Sequence, residues 1–115
     1  GVGTERRQYM KYFTISELTY SDKARELHID NTPFSLTIID NLTDLTENLL
    51  DPIREAWGKP LHVNSGYRCP ALNKAVGGKP TSQHLKGEAV DITTGSKGEN
   101  MKLFEMIKDS GLVYD

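Results

Sequence analysis

The sequence predicts an α+β fold: a small antiparallel or mixed sheet with N-terminal helices packed on one side. Three observations lead there. Apolar residues recur every three or four positions across residues 35–57, which is helical spacing. Two short stretches, 61–65 and 88–94, alternate and read as strands. The order, helices first and then mixed strands and helices, is that of α+β proteins.

Taken in order, residues 1–10 are polar and read as a flexible arm. Thr14-Ile15-Ser16-Glu17-Leu18 offers a hydroxyl N-cap ahead of a short helical turn. Residues 22–27 read as another, and Asn31-Thr32-Pro33 punctuates the chain. The main helix follows, with Leu36, Ile39, Leu42, Leu45, Leu49, Ile53 and Trp57 as its apolar stripe and Asp40, Asn41, Asp44, Glu47 and Asn48 mostly off it. Pro52 lies inside this run. It lacks a backbone donor, so the helix kinks there or two shorter helices meet. Gly58-Lys59-Pro60 ends the segment ahead of the first strand. Residues 71–76 read as a short helix closed by Gly77-Gly78-Lys79-Pro80. In the second strand Ala89, Asp91 and Thr93 share one face, and Val90 and Ile92 the other. Residues 98–110 form an amphipathic helix with Met101, Phe104 and Ile107 along one face and Gly111 as C-cap. Leu112-Val113-Tyr114 reads as the start of a further strand.

The chain's 115 residues suit a single domain, and an apolar fraction of 37% with net charge −2 predicts a folded chain with a modest core. That charge gives no general attraction to nucleic acid or to an anionic membrane surface. No apolar run approaches the roughly 20 residues that span a bilayer. No signal peptide is legible at the start, where charged residues lack an apolar stretch behind them. Cys69 is the one cysteine, which excludes an intramolecular disulfide and a cysteine-rich zinc site. A metal site here is built mainly from His, Asp and Glu.

Five Gly and three Pro fall between Gly58 and Gly87, a loop-rich stretch of the kind that carries function on a rigid scaffold. His84 and Asp91 stand seven apart across a loop and the strand after it, and two such side chains can converge on one cation. On residue types alone such a pair is more often two surface residues or a hydrogen-bonded pair. Arg68 can grip a carboxylate or steady an oxyanion, or it can be a surface arginine stacked on Tyr67. Ser82 can bind substrate or serve as a local cap. Cys69 reads as a small buried hydrophobe. His28 reads as a partly exposed helical residue and His62 as a packed or surface strand residue.

Ser65-Gly66-Tyr67-Arg68, followed by Ser82-x-His84-x-x-Gly87-x-Ala89-x-Asp91, resembles the zinc D-Ala-D-Ala carboxypeptidase family. Its relatives include phage-type peptidoglycan hydrolases and the hedgehog-like metal domain. Cys69-Pro70 and Asn73 after the first motif resemble the short, single-domain branch. The resemblance covers roughly residues 10–115. It implies a sheet lining a zinc cleft, with one zinc ion held in part by His84 and Asp91. It implies that Arg68 stabilises the substrate carbonyl as it becomes an oxyanion, and that Arg68 and Ser82 touch the substrate. The reaction implied is hydrolysis of an amide bond in peptidoglycan stem peptides or cross-links, by a carboxypeptidase or an endopeptidase of endolysin type. The implied setting is the cell envelope or periplasm, or a phage-derived lysis protein, acting as a monomer.

The family's third ligand, a histidine, and its carboxylate general base normally follow a strand that starts near Leu112-Val113-Tyr114. Neither His28 nor His62 occupies the matching place. The expectation is therefore a zinc-peptidase domain without its C-terminal strands, weak in zinc binding and inactive as this chain alone. The competing expectation is a non-catalytic domain of the same fold that grips peptidoglycan or a protein partner.

Overall fold

The computed structural model describes residues 10–110. The chain enters through two short helices, each begun by a hydroxyl. Thr14 opens α1 (Ile15–Thr19) with a capping box: its hydroxyl accepts from the Glu17 N–H at 3.1 Å, and the Glu17 carboxylate accepts from the Thr14 N–H at 3.2 Å. Ser21 opens α2 (Asp22–Glu26), accepting from the Ala24 N–H at 3.1 Å.

The main helical run holds α3 (Leu36–Leu45), a wide π turn over Thr46–Leu50, and α4 (Asp51–Trp57). The run continues past Pro52 because the backbone widens before it. Asp51 N–H reaches five residues back to the Thr46 carbonyl, and Pro52 then falls in the first turn of α4, where a missing donor costs little. The extra residue in that turn shifts the phase of the apolar stripe. After the turn Leu50 and Ile53 are buried and Leu49 is half-buried; before it Ile38 and Leu42 are buried and Leu36, at the start of α3, is 77% exposed. Buried Asp51 ties the incoming chain to this helix by accepting from the Lys11 N–H at 2.7 Å and the Tyr12 N–H at 3.0 Å.

Strands β1 (His62–Ser65) and β2 (Asp91–Thr93) pair antiparallel, with His62 opposite Thr93 and Ser65 opposite Asp91. A bulge between Val63 and Ser65 sets Ser65 against Asp91. β2 is shorter than the alternation predicted. Glu88 still donates its N–H to the Gln83 carbonyl at 3.1 Å, so the residues before Asp91 belong to a turn and not to the ladder. Between the strands lie α5 (Pro70–Ala75) and a 3₁₀ turn over Gln83–Lys86.

Helix α6 (Lys97–Ser110) has the predicted extent but not the predicted buried face. Leu103 is buried, while Met101 is 66% and Phe104 49% exposed. Asn100 sets this rotation. Its side-chain oxygen accepts from the Thr94 N–H at 2.7 Å and its amide donates to the Thr93 hydroxyl at 3.0 Å, which turns Asn100 and then Leu103 toward the sheet.

The core gathers Phe13, Leu18, Ala24, Ile38, Leu42, Leu50, Tyr67, Cys69 and Leu72, with Val63, Val90 and Ile92 packed against it. Met10, assigned from sequence to the loose arm, also packs there. Residues 1–9, Gly111 and the Leu112-Val113-Tyr114 strand fall outside the described residues. No helix among the described residues is long and apolar enough to cross a membrane.

Candidate functional site

Two glycines let the site segments press against helices. A side chain on Gly66 would run into the carbonyl of Leu18 at the end of α1, the same oxygen that accepts from the Tyr67 N–H at 2.8 Å. Gly87 ends the 3₁₀ turn at φ 73°, a left-handed conformation, and a Cβ there would meet the Ile38 carbonyl oxygen of α3 at 2.8 Å. Asn41 of α3 donates to the Lys86 carbonyl at 2.8 Å, holding the same turn. The glycines of both sequence motifs thus have a packing reason.

These contacts bring His84, on the 3₁₀ turn, beside Asp91, at the start of β2. His84 Nε2 lies 3.4 Å from Asp91 Oδ2. The other ring nitrogen, Nδ1, lies 2.7 Å from the Gly66 carbonyl oxygen. A carbonyl only accepts, so Nδ1 carries a proton and donates it; in the neutral imidazole this leaves the Nε2 lone pair facing a carboxylate oxygen, whereas a protonated imidazole would donate from Nε2 to Asp91 as an ion pair. In the neutral form the two acceptors repel unless a cation, a proton or a metal ion, lies between them. Two ligand atoms of a tetrahedral zinc ion, each at about 2.0–2.2 Å, stand about 3.4 Å apart, so the pair fits one edge of such a site. The imidazole side chain is 12% exposed and the carboxylate 64%, so the pair opens to solvent on the Asp91 side. The carbonyl at Nδ1 is the kind of outer partner that fixes ring orientation in metal-binding histidines. Among the described residues no group of three His, Cys, Asp or Glu converges, and the pair supplies two donors.

Arg68 and Ser82 join the same cluster. The Arg68 N–H donates to the His84 carbonyl at 3.0 Å, and Arg68 Nη2 donates to Ser82 Oγ at 3.2 Å. Ser82 Oγ also accepts from the His84 N–H at 3.2 Å, so it caps the turn as well as holding the guanidinium. Arg68 is half-buried, its Nε has no hydrogen-bond partner, and no carboxylate pairs with it among the described residues. A half-buried guanidinium whose side chain is held, among the described residues, by a neutral hydroxyl is suited to an incoming anion or developing oxyanion.

The remaining candidates lie apart. Cys69 is buried, and its sulfur accepts from the Leu72 N–H at 3.5 Å at the start of α5. His62 is exposed on β1, and His28, read from sequence as helical, lies exposed in the turn after α2 at φ 57°. Tyr67 fills the core beneath Arg68, and burial pushes its phenol above the usual value. A groove of about 1060 Å³ opens beside Asp91, floored by Leu45, Leu50, Val90 and Leu103 and rimmed by Gln83 and Glu88.

Comparison with known proteins adds two findings. The family model described as Peptidase M15 matches residues 11–113. A zinc D-Ala-D-Ala carboxypeptidase from Streptomyces albus G is 44% identical over 50 residues, which are 43% of this chain. The matched stretch spans 20% of that relative's length.

Proposed function

The chain belongs to the peptidase M15 family, and on that premise we propose that it is the metal-binding domain of a zinc peptidase that cleaves amide bonds in peptidoglycan stem peptides or their cross-links. The observation that carries this reading is the His84–Asp91 pair at 3.4 Å, with the far ring nitrogen tied to the Gly66 carbonyl. The zinc carboxypeptidase among its relatives supports the same metal and substrate class. Such a substrate locates the protein at the cell envelope or in a phage-derived lysis protein.

In this reading His84 offers Nε2 and Asp91 offers Oδ2 to one zinc ion. Zinc, when bound there, supplies a Lewis acid that polarises the scissile carbonyl and makes water a nucleophile near neutral pH. His84 keeps its proton on Nδ1, against Gly66, throughout. Arg68 offers its guanidinium to the substrate carbonyl oxygen as charge builds on it. Ser82 accepts from both Arg68 and the His84 N–H, so its own hydroxyl proton remains to donate to the substrate peptide. Catalytic zinc sites use three protein ligands. With two donors among the described residues, the same fold also suits a domain that grips peptidoglycan without cleaving it.

The test uses the full protein with a purified stem peptide, before and after chelation. Zinc-dependent release of an amine supports the peptidase. Peptide binding without release supports the gripping domain. Arg68→Ala separates the roles within the site: kcat is expected to fall about a hundredfold or more, with zinc content unchanged. Loss of zinc instead would make Arg68 a prop for the metal loop.

A further inference from the structure

Residues 66–69 run as a short extended segment held along both edges. On the edge facing the site, the Gly66 carbonyl accepts from His84 Nδ1 at 2.7 Å and the Arg68 N–H donates to the His84 carbonyl at 3.0 Å. On the opposite edge the Tyr67 N–H donates to the Leu18 carbonyl, and the next two polar groups are taken by one side chain, Asn31. Asn31 Nδ2 donates to the Tyr67 carbonyl at 3.0 Å and to the Thr19 carbonyl at 2.9 Å, and Asn31 Oδ1 accepts from the Cys69 N–H at 2.7 Å. The side chain is buried, at 8% exposure, so these partners replace water for every group concerned.

We propose that Asn31 is a positioning residue for the site: its carboxamide locks the backbone of residues 66–69 between α1 and His84, and so sets both the carbonyl that orients the imidazole and the point from which Arg68 projects. This rests on the reading of His84 as a zinc ligand. The chemistry of the contact is specific to an amide. Two carbonyls need donors and one N–H needs an acceptor, all around a single planar group, and only Asn at this reach supplies both donors and the acceptor. An aspartate has the same size and keeps the Cys69 contact, but it turns two donations into two acceptor–acceptor clashes. The Thr19 carbonyl is one of the orphan acceptors at the end of α1, so the same amide also fastens α1 to the site segment.

The experiment compares wild type with Asn31→Asp in the full protein, labelled with ¹⁵N-histidine. Expected in the variant are loss of the hydrogen-bonded, slowly exchanging Nδ1–H signal of His84 and zinc binding weakened about tenfold. A fall in kcat with KM little changed is expected with them. Phe13→Leu, a core substitution that takes part in none of the hydrogen bonds of Asn31, controls for simple destabilisation and is expected to lower Tm without moving the histidine signal or zinc affinity. If Asn31→Asp lowers Tm alone, like Phe13→Leu, Asn31 merely holds the fold and the proposal is overturned. If wild type binds no zinc while Asn31→Asp still abolishes the Nδ1–H signal, the zinc reading fails and the positioning role stands. If Asn31→Asp does not fold, amide exchange in wild type decides. Protection of the Cys69 N–H equal to that of the Arg68 N–H is expected, and rapid exchange at Cys69 overturns the proposal.

Discussion

His84→Ala in the full protein is expected to abolish zinc retention and to lower stem-peptide hydrolysis at least about a thousandfold, the scale of losing several kcal/mol of metal stabilisation at the transition state. His84 contributes twice. Its Nε2 faces Asp91 at 3.4 Å, and its Nδ1 holds the Gly66 carbonyl at 2.7 Å. On the proposed zinc reading, alanine removes a donor to the metal as well as a strut between the two motif segments. Elemental analysis of the dialysed variant reads the first loss, and circular dichroism is expected to show that the fold persists. Zinc content equal to that of wild type would remove His84 from the metal site.

Gly66→Ala is expected to cost about 3 kcal/mol or more and to lower Tm by roughly 10 °C or more, because the added methyl meets backbone and not a movable side chain. The Leu18 carbonyl cannot retreat without giving up its bond from the Tyr67 N–H and shifting α1. The same substitution at Gly98, which has open space around it in the first turn of α6, is expected to be neutral or to raise Tm slightly. Thermal unfolding of both variants checks the contrast. Equal effects at the two positions would mean that the close approach at Gly66 is not what makes glycine necessary there.

Local chemistry was the part of the fold that the sequence carried openly. The hydroxyl N-cap read ahead of a short helical turn is formed by Thr14, and the structure adds the Glu17 carboxylate that completes a capping box. The alternation around Val63 and Ile92 announces strands, and they pair antiparallel. What depended on tertiary partners was hidden. The phase of the main helix turns on a π turn whose extra residue buries Leu50 in preference to Leu49. The rotation of α6 turns on Asn100 bonding to Thr93 and Thr94, which no apolar pattern reveals.

The site divides in the same way. Arg68, Ser82, His84 and Asp91 stood out by motif, and the folded chain gathers all four. Asn31 did not stand out. Beside Thr32 and Pro33 it reads as turn punctuation, and its three bonds reach residues 12, 36 and 38 positions away. A contact of that kind leaves no local periodicity to read. The Gly66 carbonyl was equally hidden, since a backbone acceptor carries no residue-type signal.

The central claim is that one zinc ion sits between His84 and Asp91. Crystals of the zinc-loaded full protein, measured at the zinc absorption edge, test it most directly. The account predicts an anomalous peak within about 2.2 Å of both His84 Nε2 and Asp91 Oδ2. A peak elsewhere, or none at this pair in zinc-loaded crystals, would contradict it.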